Sequence, residues 1–296
     1  MSQLISNNAV MLPSNFERQQ IFYWLKKVSS VTAWRRIFSF YEAWAEATEN
    51  SVRVADEIGR GQQTSLPQSE YALILNCLAH CEEGVNRLSK GDKRVFKFDS
   101  NGEFVMAQRM LSHWTKMLER IELGENGINE HTPLWPEFCK SLTTLANVWG
   151  ECGPHILELR YIGEPARNLY GDWLKSQLTT LVFPTHIAPV PDPVDNVFAR
   201  TDDITPHSGI WEPIEVEKSA KFGILSFFVN VMKPQPPFKV MGAMNYLHAG
   251  SKAPQITIET KDDSIDLDTI WRLLWKDDRY QDGSVSEEEA GYIFSK

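Results

Sequence analysis

The strongest constraint on the fold of this chain is a change in composition near residue 184. Six prolines fall within about thirty residues, at Pro184, Pro189, Pro191, Pro193, Pro206 and Pro213. Proline lacks a backbone N–H and its ring clashes with the preceding helical turn, so no helix can run through this stretch. The pattern predicts a long connection or boundary between two differently built parts of the chain.

Before this boundary, apolar residues recur at helical spacing in one segment after another. Glycines, prolines and capping residues mark the ends of these segments. The predicted helices cover residues 16–28, 31–58, 69–88, 105–121, 136–149 and 165–181. One alternating stretch, Val95–Val105, turns on Asn101-Gly102 and predicts a small β-hairpin. We expect residues 1–183 to form a bundle-like helical domain.

After the boundary, short runs of β-branched and aromatic residues are separated by proline and glycine, which predicts strands. The predicted strands cover 210–216, 222–232, 240–247 and 255–259, and helical periodicity returns between Ile265 and Leu274. The expected fold class is α+β, with a mostly helical N-terminal bundle followed by a small antiparallel β-rich module and a terminal helix. The second domain would comprise residues 184–296, including an acidic tail, and could pack with the first as one unit.

The charge of the chain bears on the class of partner. The formal net charge is −9, and the residues from Leu181 onward hold 18 acidic and 11 basic side chains. An acidic surface repels nucleic acid and attracts basic proteins. The N-terminus lacks the pattern of a secretory signal, and no apolar run reaches 18 residues. We therefore expect a cytoplasmic protein that binds neither nucleic acid nor membrane.

Familiar catalytic motifs are absent, so candidate chemistry is confined to the histidines of the proline-rich half. His207 precedes Ser208, but a nucleophilic serine needs a histidine and a carboxylate that converge in space, which adjacency does not provide. The phrase is more typical of a turn that enters a strand. Trp211 is expected in the core or at the rim of the β module, and His248 at the end of a strand as a structural imidazole or a partner contact.

A calcium-loop pattern lies close to the C-terminus. Asp278, Asp282 and Glu289 occupy the first, fifth and twelfth positions of such a loop. Tyr280, however, occupies the third position, where an oxygen ligand is required. An acidic turn capped by Ser286 before a short helix explains the same residues without a metal. We predict no metal site here.

Two phrases carry a resemblance that composition does not provide. They are Ser208-Gly209-Ile210-Trp211 and the run from Met244 to Pro254, Met-Asn-Tyr-Leu-His-Ala-Gly-Ser-Lys-Ala-Pro. Following a helical N-terminal part, these phrases resemble those of immunity proteins from bacterial polymorphic-toxin systems. Such proteins accompany effectors of the type VI secretion system, often of the Rhs type. The resemblance implies a cytoplasmic antitoxin without catalysis or cofactors, which acts in bacterial competition by binding one cognate toxin domain and blocking its active site.

Toxin contact is expected from aromatic anchors of the β module and from acidic positions around it. The predicted partner-binding residues are Trp211, Glu212, Tyr246, His248, Asp277, Asp278, Asp282 and Glu287. Two alternatives remain open from the sequence. One is an enzyme that reverses the toxin's modification with His207, His248 and nearby carboxylates. The other is a calcium-binding regulatory module.

Overall fold

The chain folds as two compact units, each assembled from segments that are far apart in sequence. The computed structural model describes residues 11–161, 163–194, 197–215, 237–259 and 264–294. The helical unit comprises Lys27–Leu157 and Arg279–Ala290, and the sheet unit comprises the described residues of Met1–Lys26, Glu158–Asp278 and Gly291–Lys296. The domain boundary predicted near residue 183 stays a prediction. Each of the two compact units includes residues from both sides of it.

The helices follow the predicted segments closely up to residue 150. They are α1 (Asn15–Val28), α2 (Val31–Glu57), α3 (Gln68–Leu88), α4 (Glu103–Glu122), α5 (Trp135–Gly150), α6 (Gly153–Ile156) and α7 (Asp172–Thr180). The N-terminus of α1 is a reciprocal capping box. The backbone N–H of Ser14 donates to Glu17 at 2.8 Å, and the backbone N–H of Glu17 donates to the Ser14 hydroxyl at 3.3 Å.

Aromatic side chains fill the core of the helical unit. Trp34 on α2 is completely buried, with Phe104 stacked on its ring at 3.9 Å and Trp149 edge-on at 5.3 Å. At Gly84 on α3, an added Cβ would lie 2.6 Å from the Phe104 ring, so α3 and α4 can approach closely only without a side chain there. These contacts join four helices through one cluster.

The predicted hairpin around Asn101-Gly102 is wrong. A 3-10 helix at Lys93–Phe96 and the start of α4 at Glu103 replace it. Phe96 and Phe104 are both completely buried and their rings stack at 5.4 Å. The alternating pattern thus arose from side chains that enter the helical core from a tight turn and from the first turn of α4.

The sheet unit contains two antiparallel sheets. The described strands are β1 (Phe198–Arg200), β2 (Gly209–Ile214), β3 (Asn245–Leu247), β4 (Ile256–Glu259), β5 (Ser264–Leu267) and β6 (Ile270–Lys276). The larger sheet has the order β1-β6-β2-β3, and β4 pairs with β5 in the smaller one. Trp211, Trp271 and Leu273 are completely buried in the core of this unit.

The helical periodicity predicted between Ile265 and Leu274 is also wrong, since this segment forms β5 and β6. Strand β6 is paired on both edges, with β1 and with β2. Ile270, Trp271, Leu273 and Leu274 are all buried, so the strand lacks the apolar–polar alternation of a half-exposed strand. A continuous apolar run is ambiguous between helix and strand, which explains the error.

The helix predicted from residue 165 begins only at Asp172. The residues predicted to form its first turn instead bond to other segments of the sheet unit, since the Ala166 N–H donates to the Gln255 carbonyl at 2.7 Å. The backbone N–H of Asn168 likewise donates to the Asn245 side chain at 2.8 Å. The strand predicted at 222–232 lies outside the described residues.

The α+β class is confirmed, with helices first and antiparallel sheets after them. The predicted strands at 210–216 and 255–259 correspond to β2 and β4, and the end of the strand predicted at 240–247 corresponds to β3. The predicted short helix after Ser286 is a 3-10 helix at Glu287–Gly291. None of the described helices has the length and apolar content needed to cross a bilayer.

Candidate functional site

The residues singled out in the sequence gather at one end of the larger sheet. Gly209, the first residue of β2, pairs with Leu247 of β3 on one side and with Lys276 of β6 on the other. Neighbouring polar residues therefore meet at this end: Ser208 before β2, His248 after β3 and Asp277 after β6. We call these three residues, with Tyr246, the sheet-end cluster.

Hydrogen bonds within the sheet-end cluster hold the three strands in register. The Ser208 hydroxyl accepts from the Ala249 N–H at 3.0 Å, and the Ser208 carbonyl accepts from the Asp277 N–H at 2.9 Å. The Tyr246 hydroxyl donates to the Asp277 carboxylate at 2.9 Å. Tyr246, His248 and Asp277 are all buried. These contacts position the strands, because each bond links the ends of two strands.

The backbone conformation and the close surroundings of Gly209 explain why the Ser-Gly-Ile-Trp phrase requires a glycine. Its φ is +157°, and an added Cβ would lie 2.1 Å from the Trp275 carbonyl oxygen. Any other residue would force the paired strands β2 and β6 apart. Two positions later, Trp211 is completely buried, and its indole N–H donates to the His207 carbonyl at 3.2 Å.

In the Met-Asn-Tyr-Leu-His phrase, the side chain of Asn245 has a structural role, because it pairs with the backbone of Asn168. Its side-chain oxygen accepts from the Asn168 N–H at 2.8 Å, and its side-chain nitrogen donates to the Asn168 carbonyl at 3.1 Å. The amide group thus pairs with a backbone as a neighbouring strand would. Asn168 and Asn245 are both buried, so leaving these backbone groups unpaired would be costly.

Glu212 is the most deeply buried of the predicted partner-binding carboxylates. Its side chain has no exposed surface, and it lies between Arg18 of α1, at 2.7 Å, and Arg272 of β6, at 2.5 Å. A buried carboxylate is tolerated when it is paired and hydrogen-bonded, as here. We call Arg18, Glu212 and Arg272 the arginine-carboxylate cluster.

Burial separates the predicted partner-binding residues into two groups. Five of them are buried: Trp211, Glu212, Tyr246, His248 and Asp277. Three are exposed: Asp278, Asp282 and Glu287. A side chain enclosed by its own protein cannot touch a partner docked on the surface, so only the exposed three can make direct contact in this conformation. The aromatic anchors expected from Trp211 and Tyr246 are core residues.

The exposed acidic residues differ in their local bonding. Asp278 forms an ion pair with Lys276 at 2.9 Å. The backbone N–H and the hydroxyl of Ser284 both donate to Asp282, and these bonds lower the pKa of the Asp282 carboxyl below its ordinary value. Asp282 is therefore a fixed negative charge at neutral pH.

In the calcium-loop pattern, the side chains of Tyr280 and Glu289 form hydrogen bonds to the start of α2. Glu289, the residue at the twelfth position, is buried and accepts from the backbone N–H of Thr32 at 3.1 Å and from its hydroxyl at 2.6 Å. The Tyr280 hydroxyl donates to the other oxygen of Glu289 and accepts from the Val31 N–H at 3.0 Å. Burial, with the hydrogen bond to Glu289, raises the pKa of Tyr280. One oxygen of Glu289 thus accepts directly from the first turn of α2, and the other is linked to that turn through the Tyr280 hydroxyl.

No group of three or more His, Cys, Asp or Glu side chains is gathered as a metal site within the ranges that the structure describes. Sequence reasoning missed Arg18, Arg272 and the inward direction of Glu289. Arg18 lies 194 residues from Glu212 in the chain, so no local pattern could have paired them.

The comparisons with known proteins place this architecture in a family. The model of Immunity protein 71 matches residues 12–167, and that of Immunity protein 72 matches residues 189–293. Neither curated proteins nor solved structures give a match to the chain. Because the first match covers more than half of the 296 residues, the chain belongs to the Immunity protein 71 family, and its C-terminal part matches Immunity protein 72.

Proposed function

We propose that this protein binds one cognate antibacterial toxin and neutralises it by covering the toxin's active site. The observation that carries the proposal is the family membership over residues 12–167, together with the Immunity protein 72 match over residues 189–293. This role requires a specific binding surface and no catalytic group. The proposal includes the setting: the bacterial cytoplasm, and a polymorphic toxin of the Rhs type delivered by a type VI secretion system.

Charge supports a basic toxin domain as the partner. The chain has a formal net charge of −9, and the exposed carboxylates Asp282 and Glu287 lie on the same short segment near the C-terminus. Opposite charges on two proteins accelerate their encounter, and the effect falls with added salt. We place the electrostatic part of the toxin contact at Asp278, Asp282 and Glu287.

The buried members of the predicted set have a different role in this proposal. Trp211, Glu212, Tyr246, His248 and Asp277 support the sheet unit, to which the exposed contact residue Asp278 belongs. Replacing them would alter toxin binding only through the stability or the geometry of the sheet unit. This distinction separates contact residues from supporting residues in any mutational scan.

The first experiment tests inhibition by binding. The protein is co-purified with the product of the adjacent gene, and protection of sensitive cells is measured as the ratio of the two proteins is varied. We expect a stable complex, and protection that is complete only when the immunity protein equals or exceeds the toxin. Full protection by trace amounts would contradict the proposal, because it would indicate an enzyme that reverses the toxin's effect.

The second experiment tests the contact surface by charge reversal. The variant Asp282→Lys/Glu287→Lys should slow association with the toxin about tenfold at low salt, and the difference should shrink as salt is added. The matched control is Glu122→Lys/Glu130→Lys, which makes the same change in net charge at two other exposed positions of the helical unit. Equal association rates for the two variants would exclude Asp282 and Glu287 as the steering residues.

A further inference from the structure

Each compact unit contains residues from both of the regions matched by the two family models. From the first region, the sheet unit contains residues 12–26, most of α1, and residues 158–167; from the second region, the helical unit contains residues 279–290. Neither unit is therefore encoded by one matched region alone. Three junctions, each inside one unit, join the two regions.

The first junction is the arginine-carboxylate cluster. Arg18 belongs to the first matched region and Glu212 to the second. Without Arg18, the completely buried Glu212 would lose one of the two guanidinium groups that pair with it. Aromatic packing reinforces this junction, because Phe22 of α1 meets the Trp275 ring edge-on at 6.4 Å.

The second junction is the bond from the Ala166 N–H, inside the first matched region, to the Gln255 carbonyl in the second. One residue past the first region, the backbone of Asn168 adds its pairing with the Asn245 side chain. Residues 166–168 precede the proline-rich connection, whereas Asn245 and Gln255 follow it. The N–H and the carbonyl of Asn168 both bond to the buried side-chain amide of Asn245. Because one bond runs in each direction, the amide must be correctly oriented as well as correctly placed.

The third junction is the start of α2. Glu289 bonds to Thr32, and Tyr280 bonds to Val31, as described above. Arg279 adds a bond from its guanidinium to the Ser29 hydroxyl at 2.7 Å. The ammonium group of Lys93 donates to the Arg279 carbonyl at 3.1 Å and lies 4.2 Å from the centroid of the Tyr280 ring. The first turn of the longest helix is completed by residues near the other end of the chain.

We propose that the two matched regions are obligate partners that bind each other through these three junctions, independently of the peptide connection between them. The chain's own segment 279–290 covers the start of α2. The chain's own helix α1 covers the surface around Glu212. The chain thus behaves as a complex of two interlocked halves. This inference does not depend on the toxin.

The test cuts the connection in the folded, full-length protein. A protease site replaces Pro189–Pro191 in the stretch after α7, where Ala188 and Asp192 are also exposed. After cleavage, we expect both fragments to co-elute at the mass of the intact 33.9 kDa protein and to separate only in denaturant. Separate elution of the two fragments in plain buffer would overturn the proposal.

A pair of variants tests whether the named contacts hold the fragments together. In the cleaved protein, Arg18→Ala/Glu289→Ala should raise the dissociation constant of the fragments by about tenfold or more, since each change leaves buried polar groups unpaired. The control Arg35→Ala/Glu287→Ala removes the same types of side chain from exposed positions and should leave the constant within about twofold of the parent's. A test variant that matches the control would also overturn the proposal. The cleaved parent protein needs neither substitution, so the first measurement stands even where the test variant does not fold.

Discussion

The sheet unit and the helical unit each bury a carboxylate, and they satisfy it in different ways. Glu212 in the sheet unit is held by two guanidinium groups, Arg18 and Arg272. Glu289 in the helical unit is held mainly by neutral donors, the Thr32 N–H and hydroxyl and the Tyr280 hydroxyl. The Arg279 guanidinium lies farther from Glu289, at 3.9 Å.

A buried carboxylate can thus be stabilised either by pairing with opposite charges or by hydrogen bonds from neutral donors. Charge pairing between buried groups is strong only while all members are present, because each charge has lost its water. Capping by a carboxylate uses backbone donors that the helix leaves unpaired in any case, so its contribution is smaller and less dependent on charge. The two units should therefore respond unequally to the loss of a negative charge.

The largest expected effect is that of Glu212→Gln. The substitution leaves two guanidinium groups facing a neutral amide, and the loss of stability should be about 3–5 kcal/mol. Hydrogen exchange followed by mass spectrometry should show the loss in peptides that cover β2 and β6. The control is Glu215→Gln, whose carboxylate pairs with Lys239 at 3.2 Å on the exposed surface and should contribute about 0–1 kcal/mol. Equal losses in the two variants would contradict the charge-pairing account.

The second effect introduces backbone strain into the sheet unit without altering any charge. Gly209→Ala places a methyl group against the Trp275 carbonyl, at a φ that alanine rarely adopts, and should cost about 1–3 kcal/mol. Urea unfolding and the same exchange peptides measure the change. Gly127→Ala is the matched control, because no atom lies within 4 Å of its added Cβ. If Gly209→Ala were as stable as this control, the close approach of β2 and β6 would be wrong.

The smallest effect is expected from Glu289→Gln in the helical unit. Glutamine retains one acceptor oxygen, so the loss should be about 1–2 kcal/mol and should appear as faster exchange in the first turn of α2. Glu287→Gln, two residues earlier in the same turn but exposed, should leave that exchange unchanged. A loss as large as that of Glu212→Gln would remove the distinction between the two carboxylates.

Local sequence signals were sufficient for most helices and located β2, β3 and β4. Capping residues, glycines and prolines located the helices between residues 15 and 150 because these signals act within a few residues of each helix end. The same reasoning failed at Val95–Val105 and at Ile265–Leu274. In both places the apolar pattern reflects how many faces are buried, and burial depends on distant elements rather than on neighbours in sequence.

The candidate site shows the same limit more sharply. The sequence identified the phrases around Trp211 and His248 as unusual, and the structure explains them by close strand approach and by backbone pairing. It did not separate Trp211 and Tyr246, which are core residues, from Asp282 and Glu287, which are exposed. Exposure is a property of the packed chain, so residue type alone could not assign contact roles.

By itself, the sequence determined the α+β class, the proline-rich change near residue 184, the acidic character and the resemblance to immunity proteins. Only the tertiary structure decided that the two compact units exchange segments and that Glu289 caps α2. The physical reason is the distance along the chain. Propensity, capping and turn chemistry act over a few residues, whereas Arg18, Arg272 and Thr32 lie about 60 to 260 residues from the carboxylates that they bond.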